Sequence, residues 1–199
     1  MRDSVMFHDG NRRLQDQFDS RRISDRLEEK LTRQAFTDQD RAFIEQSMFF
    51  FLATADAEGR PDCSFKGGAP GFVRVVAPDL LVYPDYDGNG MFKSLGNIRS
   101  NPNVGLLFIA MSARPKRLRV SGNAELAFDD PLLAGFPGGQ MLVRIRPTHV
   151  FPNCPRYIPD MKLEQPSAYV PDAACAPVEP AWKASPEFKD VVPARKPTA

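Results

Sequence analysis

Residues 117–128 read RLRVSGNAELAF and form the most regular pattern in the chain. Leucine, valine, glycine and alanine fill the even positions from 118 to 126, and arginine, serine, asparagine and glutamate fill the odd ones. Successive side chains of a β-strand point to opposite faces of its sheet, so this alternation predicts a strand with one face in a core. Asp129, Asp130 and Pro131 end the pattern.

Shorter segments with strand composition lie on both sides of this strand. They are residues 48–55, 60–65, 72–77, 80–83 and 104–110 before it, and residues 140–145 after it. Six or seven short strands joined by turns predict a mainly β protein with a small antiparallel barrel and a few short helices. Closing the sheet removes edges that would otherwise be exposed.

Composition excludes several classes of protein. The chain has 199 residues and a formal net charge of +1, which predicts one domain with additions and gives no general field for nucleic acid. No apolar run is long enough for a transmembrane helix or a signal peptide, so we expect a cytoplasmic protein. Cys63, Cys154 and Cys175 match neither a zinc site nor a disulfide framework. We expect Cys63 and Cys154 to be buried, and we expect no metal.

We divide the chain into three parts: residues 1–36 as an N-terminal arm and helix, 37–161 as the barrel domain, and 162–199 as a Pro-rich extension. The first 19 or so residues are polar and predict a loose arm, followed by a helix over 20–35.

Two further features lie near the domain ends. Thr37 and Asp40 predict a capping box at the start of a helix over 38–46, with Phe43 turned inward. Trp182 and Phe188 are the large anchors of the Pro-rich extension. They indicate either loose surface packing or docking onto a partner subunit.

Residues 83–102 read YPDYDGNGMFKSLGNIRSNP and predict a strand end, a Gly-rich turn and a short helix. Met91, Leu95 and Ile98 are spaced as the apolar stripe of that helix. Lys93 and Ser94 fall in its first turn, where free N–H groups and the helix dipole suit an anion such as phosphate. The alternative is an ordinary turn before an ordinary helix.

Six short blocks follow one another along the chain: FFFLATA (49–55), SFKGGAPGFV (64–73), YPDYDGNGMFKSLGN (83–97), NPNVGLLF (101–108), LRVSGNA (118–124) and FPNCPRYI (151–158). Their order and spacing resemble the pyridoxamine 5′-phosphate oxidase-related family of FMN-binding split barrels. The resemblance covers about residues 36–161 and implies a six- to seven-stranded antiparallel split β-barrel. It also implies a homodimer with FMN sites at the subunit interface.

The resemblance implies a set of cofactor-binding residues. They are Ser64, Phe65, Lys66 and Gly67 beside the flavin ring and phosphate; Asn89, Gly90, Met91, Phe92, Lys93 and Ser94 around the ribityl phosphate; and Arg119 towards the flavin or the dimer partner. For Lys66 and Lys93 the alternative is an ordinary surface lysine. For Arg119 it is a pair with Glu125 or a neighbouring chain.

Two departures narrow the function. Met91 stands where the family often has arginine, and the arginine- and histidine-bearing C-terminal segment of true pyridoxamine phosphate oxidases is missing. We therefore expect an FMN-dependent oxidoreductase for an unknown small substrate, and not vitamin B6 oxidation. No side-chain acid or base is identifiable. The alternative is a non-catalytic flavin or haem carrier or sensor, and a deazaflavin is the alternative to FMN.

A physical argument also favours a homodimer. Apolar residues such as Phe72, Leu106 and Phe108 have little helical cover in a barrel of this size. Two-fold pairing is the commonest way to bury such a surface, so we expect these residues to contribute to a subunit interface.

Overall fold

The computed structural model describes residues 4–172, 174 and 178–193. These residues form four α-helices, seven strands and two short 3₁₀ helices. The helices are α1 (Asp9–Gln17), α2 (Arg21–Leu31), α3 (Asp38–Gln46) and α4 (Lys93–Ser100), and the 3₁₀ segments are Pro131–Gly135 and Ala181–Ala184. The strands are β1 (Phe49–Ala55), β2 (Pro61–Gly67), β3 (Arg74–Ala77), β4 (Leu80–Tyr86), β5 (Asn103–Ala110), β6 (Lys116–Ala127) and β7 (Gly139–Pro152).

The seven strands form one antiparallel sheet in the order β2-β1-β5-β6-β7-β4-β3. Three strands separate β1 from β4 in this order, yet the rings of Phe50 and Tyr83 lie 5.1 Å apart, centroid to centroid. The sheet therefore curls around one core while β2 and β3 remain its two ends. The prediction of an antiparallel split barrel is confirmed.

Strand β6 has the predicted alternation. Leu118, Val120 and Ala124 are buried, whereas Arg119 and Asn123 are exposed. Strand β7 is much longer than the predicted segment 140–145. Its pairing with β6 shifts register between Ser121 and Gly122 and then continues to Pro152.

The barrel core is formed by one chain. Phe50, Phe72 and Phe108 pack ring against ring, and Leu106 is also buried. The expectation that Phe72, Leu106 and Phe108 contribute to a subunit interface is wrong, because the curled sheet covers them. The burial of these residues therefore no longer supports the prediction of a homodimer.

The prediction of a loose N-terminal arm is also wrong. Residues 9–17 form α1, whose first turn is capped by His8 in a capping box with Asn11. Arg12 of α1 pairs with Asp25 of α2 at 2.6 Å. Because capping and ion pairs stabilise this helix instead of an apolar stripe, hydrophobic periodicity did not reveal it.

The second and third helices agree better with the sequence. Helix α2 ends at Leu31, four residues before the predicted end. The Thr37–Asp40 capping box of α3 is confirmed, and Asp40 also binds Arg33 at 2.9 Å. Ile44 is the fully buried residue of α3, and Phe43 is only partly buried against the core.

The described part of the C-terminal extension lies against its own barrel. Lys183 contacts Asp87, just after β4, at 2.5 Å, and the rings of Trp182 and Phe188 pack edge to face. The structure also corrects the burial of two cysteines: Cys63 and Cys154 are both exposed. Cys175 lies outside the described residues. No helix in the described ranges has the length and apolar character needed to cross a membrane.

Candidate functional site

A pocket of about 310 Å³ lies where β2, the end of β4 and the start of α4 meet. We call it the lysine pocket. It is lined by Asp62, Cys63, Ser64, Lys66, Asp85, Tyr86 and residues 88–95. Along β2, residues 62, 64 and 66 are partly buried and alternate with exposed residues 61, 63 and 65. The two-residue period of the strand thus places Asp62, Ser64 and Lys66 on the same face.

The turn before α4 has a distinctive backbone. Gly90 and Phe92 both adopt left-handed conformations, with φ of 74° and 47°. The Asn89 side chain accepts a hydrogen bond from the backbone N–H of Met91. Phe92, the N-cap residue, gives α4 no side-chain cap. The first N–H groups of α4 are therefore not capped by that side chain and point towards the pocket end of the helix, as an anion site requires.

One residue of the predicted helical stripe is misplaced. Leu95 and Ile98 are buried, but Met91 is 70% exposed and lies two residues before the helix begins. The left-handed backbone of Phe92 delays the start of the helix, so Met91 belongs to the turn. Lys93 and Ser94 do fall in the first turn, as predicted, and Ser94 is buried.

The pocket contains two carboxylates as well as two lysines. Nζ of Lys93 lies 3.0 Å from Oδ1 of Asp62. Burial raises the pKa of Asp85 to about 6, although the nearby charge of Lys66 lowers it. Burial also lowers the pKa of Lys66, and Asp85 opposes that shift. An anion entering the pocket therefore meets lysines whose charge is already partly balanced.

Sequence reasoning missed these acidic residues for identifiable reasons. Asp62, Ser64 and Lys66 are spaced two residues apart, so strand alternation places them on the same face of β2. This spacing could have identified Asp62 from the sequence. Asp85 was placed in a turn because the predicted strand ended at residue 83, whereas β4 continues to Tyr86. Tyr86, also absent from the predicted set, borders the pocket for the same reason.

The structure brings most of the predicted cofactor-binding residues together. Those that line the lysine pocket are Ser64, Lys66, Asn89, Gly90, Met91, Phe92, Lys93 and Ser94. Their role in binding a cofactor stays a prediction, but they form one contiguous cavity.

Phe65, Gly67 and Arg119 do not line this pocket. Phe65 points to the other face of β2, where its ring stacks on Phe49 at 5.5 Å. Gly67 packs against the Phe65 ring, which a Cβ at this position would approach to 2.7 Å. Arg119 projects from the exposed face of β6, and its side chain makes no hydrogen bond or ion pair with any residue the structure describes. Within one chain these three residues are separate from the site.

Several solved structures are similar to this chain. HupZ from Group A Streptococcus is 17% identical over 64% of this chain and 99% of its own, with a TM-score of 0.48. An FMN-binding protein from Syntrophomonas wolfei is 10% identical over 71% of this chain and 97% of its own, with a TM-score of 0.46. HutZ, a heme storage protein from Vibrio cholerae, is 20% identical over 57% of this chain and 92% of its own, with a TM-score of 0.45.

No curated protein matches the chain significantly. The family model described as pyridoxamine 5′-phosphate oxidase matches residues 36–160, which is more than half of the chain and includes every strand and the lysine pocket. The chain belongs to the pyridoxamine 5′-phosphate oxidase family.

Proposed function

We propose that this protein binds FMN in the lysine pocket and acts as a flavin-dependent oxidoreductase on a small molecule. The observation that carries the proposal is the convergence of Lys66, Lys93 and the uncapped start of α4 on one cavity. Together they offer full positive charge and backbone N–H donors, the two kinds of group that hold a phosphate.

The phosphate of FMN fits the α4 end of the pocket best. Lys93 is mostly exposed, so its flexible side chain can turn from Asp62 to a bound phosphate. The turn containing Gly90 lets the backbone approach a ligand closely, and no atom beyond the adjacent residues lies within 4 Å of the position a Cβ would take there. Lys93 and these donors then replace the arginine that related proteins often carry at the position of Met91.

The ring of FMN fits along β2, at the open side of the pocket. A cavity of about 310 Å³ is at the lower end of the range for ligand sites, so one chain encloses only part of a dinucleotide-sized or flavin-sized cofactor. Met91 and Phe92 are exposed at this region, and Phe65 is exposed on the other face of β2. We infer that a second copy of the chain covers them and completes the site, which makes the homodimer part of this proposal.

When bound, FMN would supply the hydride or electron chemistry. The chain would hold the cofactor and control protons near it. The Asp85 carboxyl, with a pKa of about 6, changes protonation close to neutral pH and lies beside Lys66. This makes Asp85 the best-placed group in the pocket for accepting or donating a proton at its carboxylate oxygen.

The test compares two flavins that differ only in the phosphate. FMN and riboflavin are titrated into apo-protein while flavin fluorescence is followed. FMN should bind at least about tenfold more tightly, because a charged hydrogen bond contributes roughly 1.5–3 kcal/mol. Anaerobic addition of NAD(P)H should then bleach the bound flavin. Equal affinities would contradict the phosphate site, and a Soret band without flavin in the purified protein would favour the carrier function.

A further inference from the structure

A second cavity, of about 760 Å³, lies next to the lysine pocket. We call it the tail cavity. Its walls are the loop 69–72, Arg74, residues 86–87, residues 135–138 and the C-terminal segment 166–172 with Val178 and Pro180. Tyr86 borders both cavities. The volume is within the range of small-molecule sites, roughly 300–1,000 Å³.

The C-terminal segment is held against the barrel as part of this wall. Pro171 packs so closely on Gly138 that a Cβ there would lie 2.9 Å from it. Lys183 reaches Asp87 at 2.5 Å and Glu179 at 3.5 Å. The family model ends at residue 160, so the C-terminal part of this wall lies outside the region that the model matches.

The lining of the tail cavity is mostly apolar and rich in rings. The rings come from Phe72, Tyr86, Phe136 and Tyr169, with prolines between them. Phe72 and Phe136 are each only 4% exposed, so the accessible ring surface comes mainly from Tyr86 and Tyr169. Accessible rings favour a planar ligand, because ring stacking adds to the burial of apolar area.

Arg74 gives this lining a fixed positive charge. Its guanidinium lies 3.9 Å from the centre of the Phe136 ring. Its Nε donates to the Gly71 carbonyl at 3.1 Å, and its Nη2 donates to the Gly135 carbonyl at 2.6 Å. These contacts hold the group in place, and Nη1 makes no hydrogen bond with the residues described. The charge is therefore pre-oriented for a ligand anion.

The carboxylates of the lining do not neutralise this arginine. Asp87 is paired with Lys183, and Asp172 accepts a hydrogen bond from the backbone N–H of Ala174. No ion pair joins Arg74 to an acidic residue in the part of the chain that the structure describes. An unpaired, half-buried guanidinium in an apolar cavity is suited to a carboxylate.

We propose that the tail cavity is the substrate subsite and that it takes a planar, mainly apolar carboxylic acid whose carboxylate binds Arg74. This inference rests on the proposed function in one respect: the cofactor in the lysine pocket would meet the substrate beside Tyr86. Binding of the acid itself depends only on the tail cavity.

The probe is 2-naphthoate, compared with the neutral 2-naphthamide, and binding is measured by calorimetry on the full-length protein. We expect 2-naphthoate to bind at least about tenfold more tightly than the amide. Arg74→Gln should remove this preference, and Arg74→Lys should keep part of it. Lys93→Ala should leave the naphthoate affinity unchanged, because Lys93 lies in the other pocket.

A cavity-filling variant tests the place of binding. Ala69→Phe with Ala168→Phe narrows the tail cavity from the loop 69–72 and from the C-terminal segment, and should weaken naphthoate binding at least about tenfold. The matched control is Ala57→Phe in the exposed β1–β2 turn, which should bind naphthoate as the wild type does. This pair keeps the proposal testable if Arg74→Gln fails to fold.

The outcomes separate the two proposals. Failure of 2-naphthoate to bind below about 1 mM, equal affinities for acid and amide, or loss of binding in Lys93→Ala would overturn the tail-cavity subsite. On FMN-loaded protein, naphthoate should shift the flavin absorption spectrum; binding without a shift would overturn the substrate role. If FMN does not bind while naphthoate does, the flavin proposal fails and the acid site stands.

Discussion

Lys93 and Asp62 form an ion pair across the lysine pocket, with Nζ 3.0 Å from Oδ1. The pair joins the first turn of α4 to strand β2. Its lysine is the residue that we predicted from the sequence to bind the phosphate. The Lys93 side chain is 65% exposed and can turn away from Asp62, so a bound phosphate competes with Asp62 for the same ammonium group.

Substitutions at this pair should therefore change FMN affinity in opposite directions. Lys93→Ala should weaken binding about ten- to a hundredfold, because it removes a charged hydrogen bond and leaves Asp62 to repel the phosphate. Asp62→Asn should tighten binding several-fold. Flavin fluorescence titration measures both.

Riboflavin and Lys30→Ala serve as the controls for this pair of variants. Riboflavin has no phosphate, so its affinity should be the same for the wild type, Lys93→Ala and Asp62→Asn. Lys30 is an exposed lysine on α2 that pairs with its neighbour Glu29, and its removal should not alter FMN binding. An unchanged FMN affinity in Lys93→Ala would assign the phosphate to Lys66 or to the partner subunit.

Asp85 should make FMN binding depend on pH. Burial raises its pKa to about 6, so the carboxylate is mainly charged at pH 8 and mainly neutral at pH 5. Asp85→Asn should tighten FMN binding at pH 8 by several-fold and have little effect at pH 5. The phosphate itself titrates in this range, so the ratio of wild-type to variant Kd at each pH is the quantity to compare.

The same carboxyl should also affect stability, with a defined sign. A raised pKa in the folded state means that the contribution of Asp85 to the free energy of unfolding falls as pH rises from about 4 through 6. Asp85→Asn should thus stabilise the protein above pH 7 by roughly 1 kcal/mol, after allowing for solvent screening. Urea denaturation at pH 5 and pH 8 would show this; equal differences at both pH values would contradict it.

Tyr83 carries a buried hydroxyl that costs stability. The side chain is 1% exposed and its hydroxyl has no hydrogen-bond partner in the described part of the chain, while its ring packs on Phe50. Tyr83→Phe removes the unpaired hydroxyl and keeps the ring, so it should stabilise the protein by roughly 1 kcal/mol. Phe50→Ala, which removes a ring from the same contact, should destabilise it by about 3–5 kcal/mol. Loss of stability in Tyr83→Phe would indicate that the Tyr83 hydroxyl does make a hydrogen bond in the folded protein.

Replacing two glycines near the pocket, Gly90 and Gly96, by alanine should change the stability of the protein in opposite directions. Gly90 has φ of 74°, so alanine there introduces backbone strain although nothing lies within 4 Å of its Cβ position. Gly96 lies inside α4 with equally open space and a helical backbone. Gly90→Ala should destabilise by about 1 kcal/mol and weaken FMN binding, and Gly96→Ala should stabilise by up to about 1 kcal/mol. Thermal unfolding distinguishes them; the same sign for both would contradict the proposed turn geometry.

The homodimer requires its own measurement. Light scattering at micromolar concentration should give twice the 22.2 kDa chain mass, and FMN should saturate at one per chain. Phe65→Glu, on the exposed face of β2, should weaken dimerisation and FMN affinity together, whereas Val76→Glu on the edge strand β3 is the matched control. A monomer that binds FMN with full affinity would contradict a site completed by the partner.

The sequence alone was sufficient for the features that depend on neighbouring residues. Alternation in 117–128 predicted β6, Thr37 with Asp40 predicted the start of α3, and the order of six short blocks predicted the family and its split barrel. It also predicted that Lys93 and Ser94 begin a helix after a Gly-rich turn. Side-chain periodicity, capping and turn chemistry act over a few residues, and a sequence displays them directly.

Tertiary structure decided the features that depend on distant contacts. Curling of the sheet buries Phe72, Leu106 and Phe108, although sequence analysis predicted that they would have little cover within one chain. Extension of β4 through Asp85 brings that carboxyl beside Lys66, and desolvation there raises its pKa. The tail reaches the end of β4 through Lys183 and Asp87, which are 96 residues apart in the chain. Burial and long-range ion pairs arise only when the chain closes on itself, because they depend on three-dimensional proximity and not on spacing along the sequence.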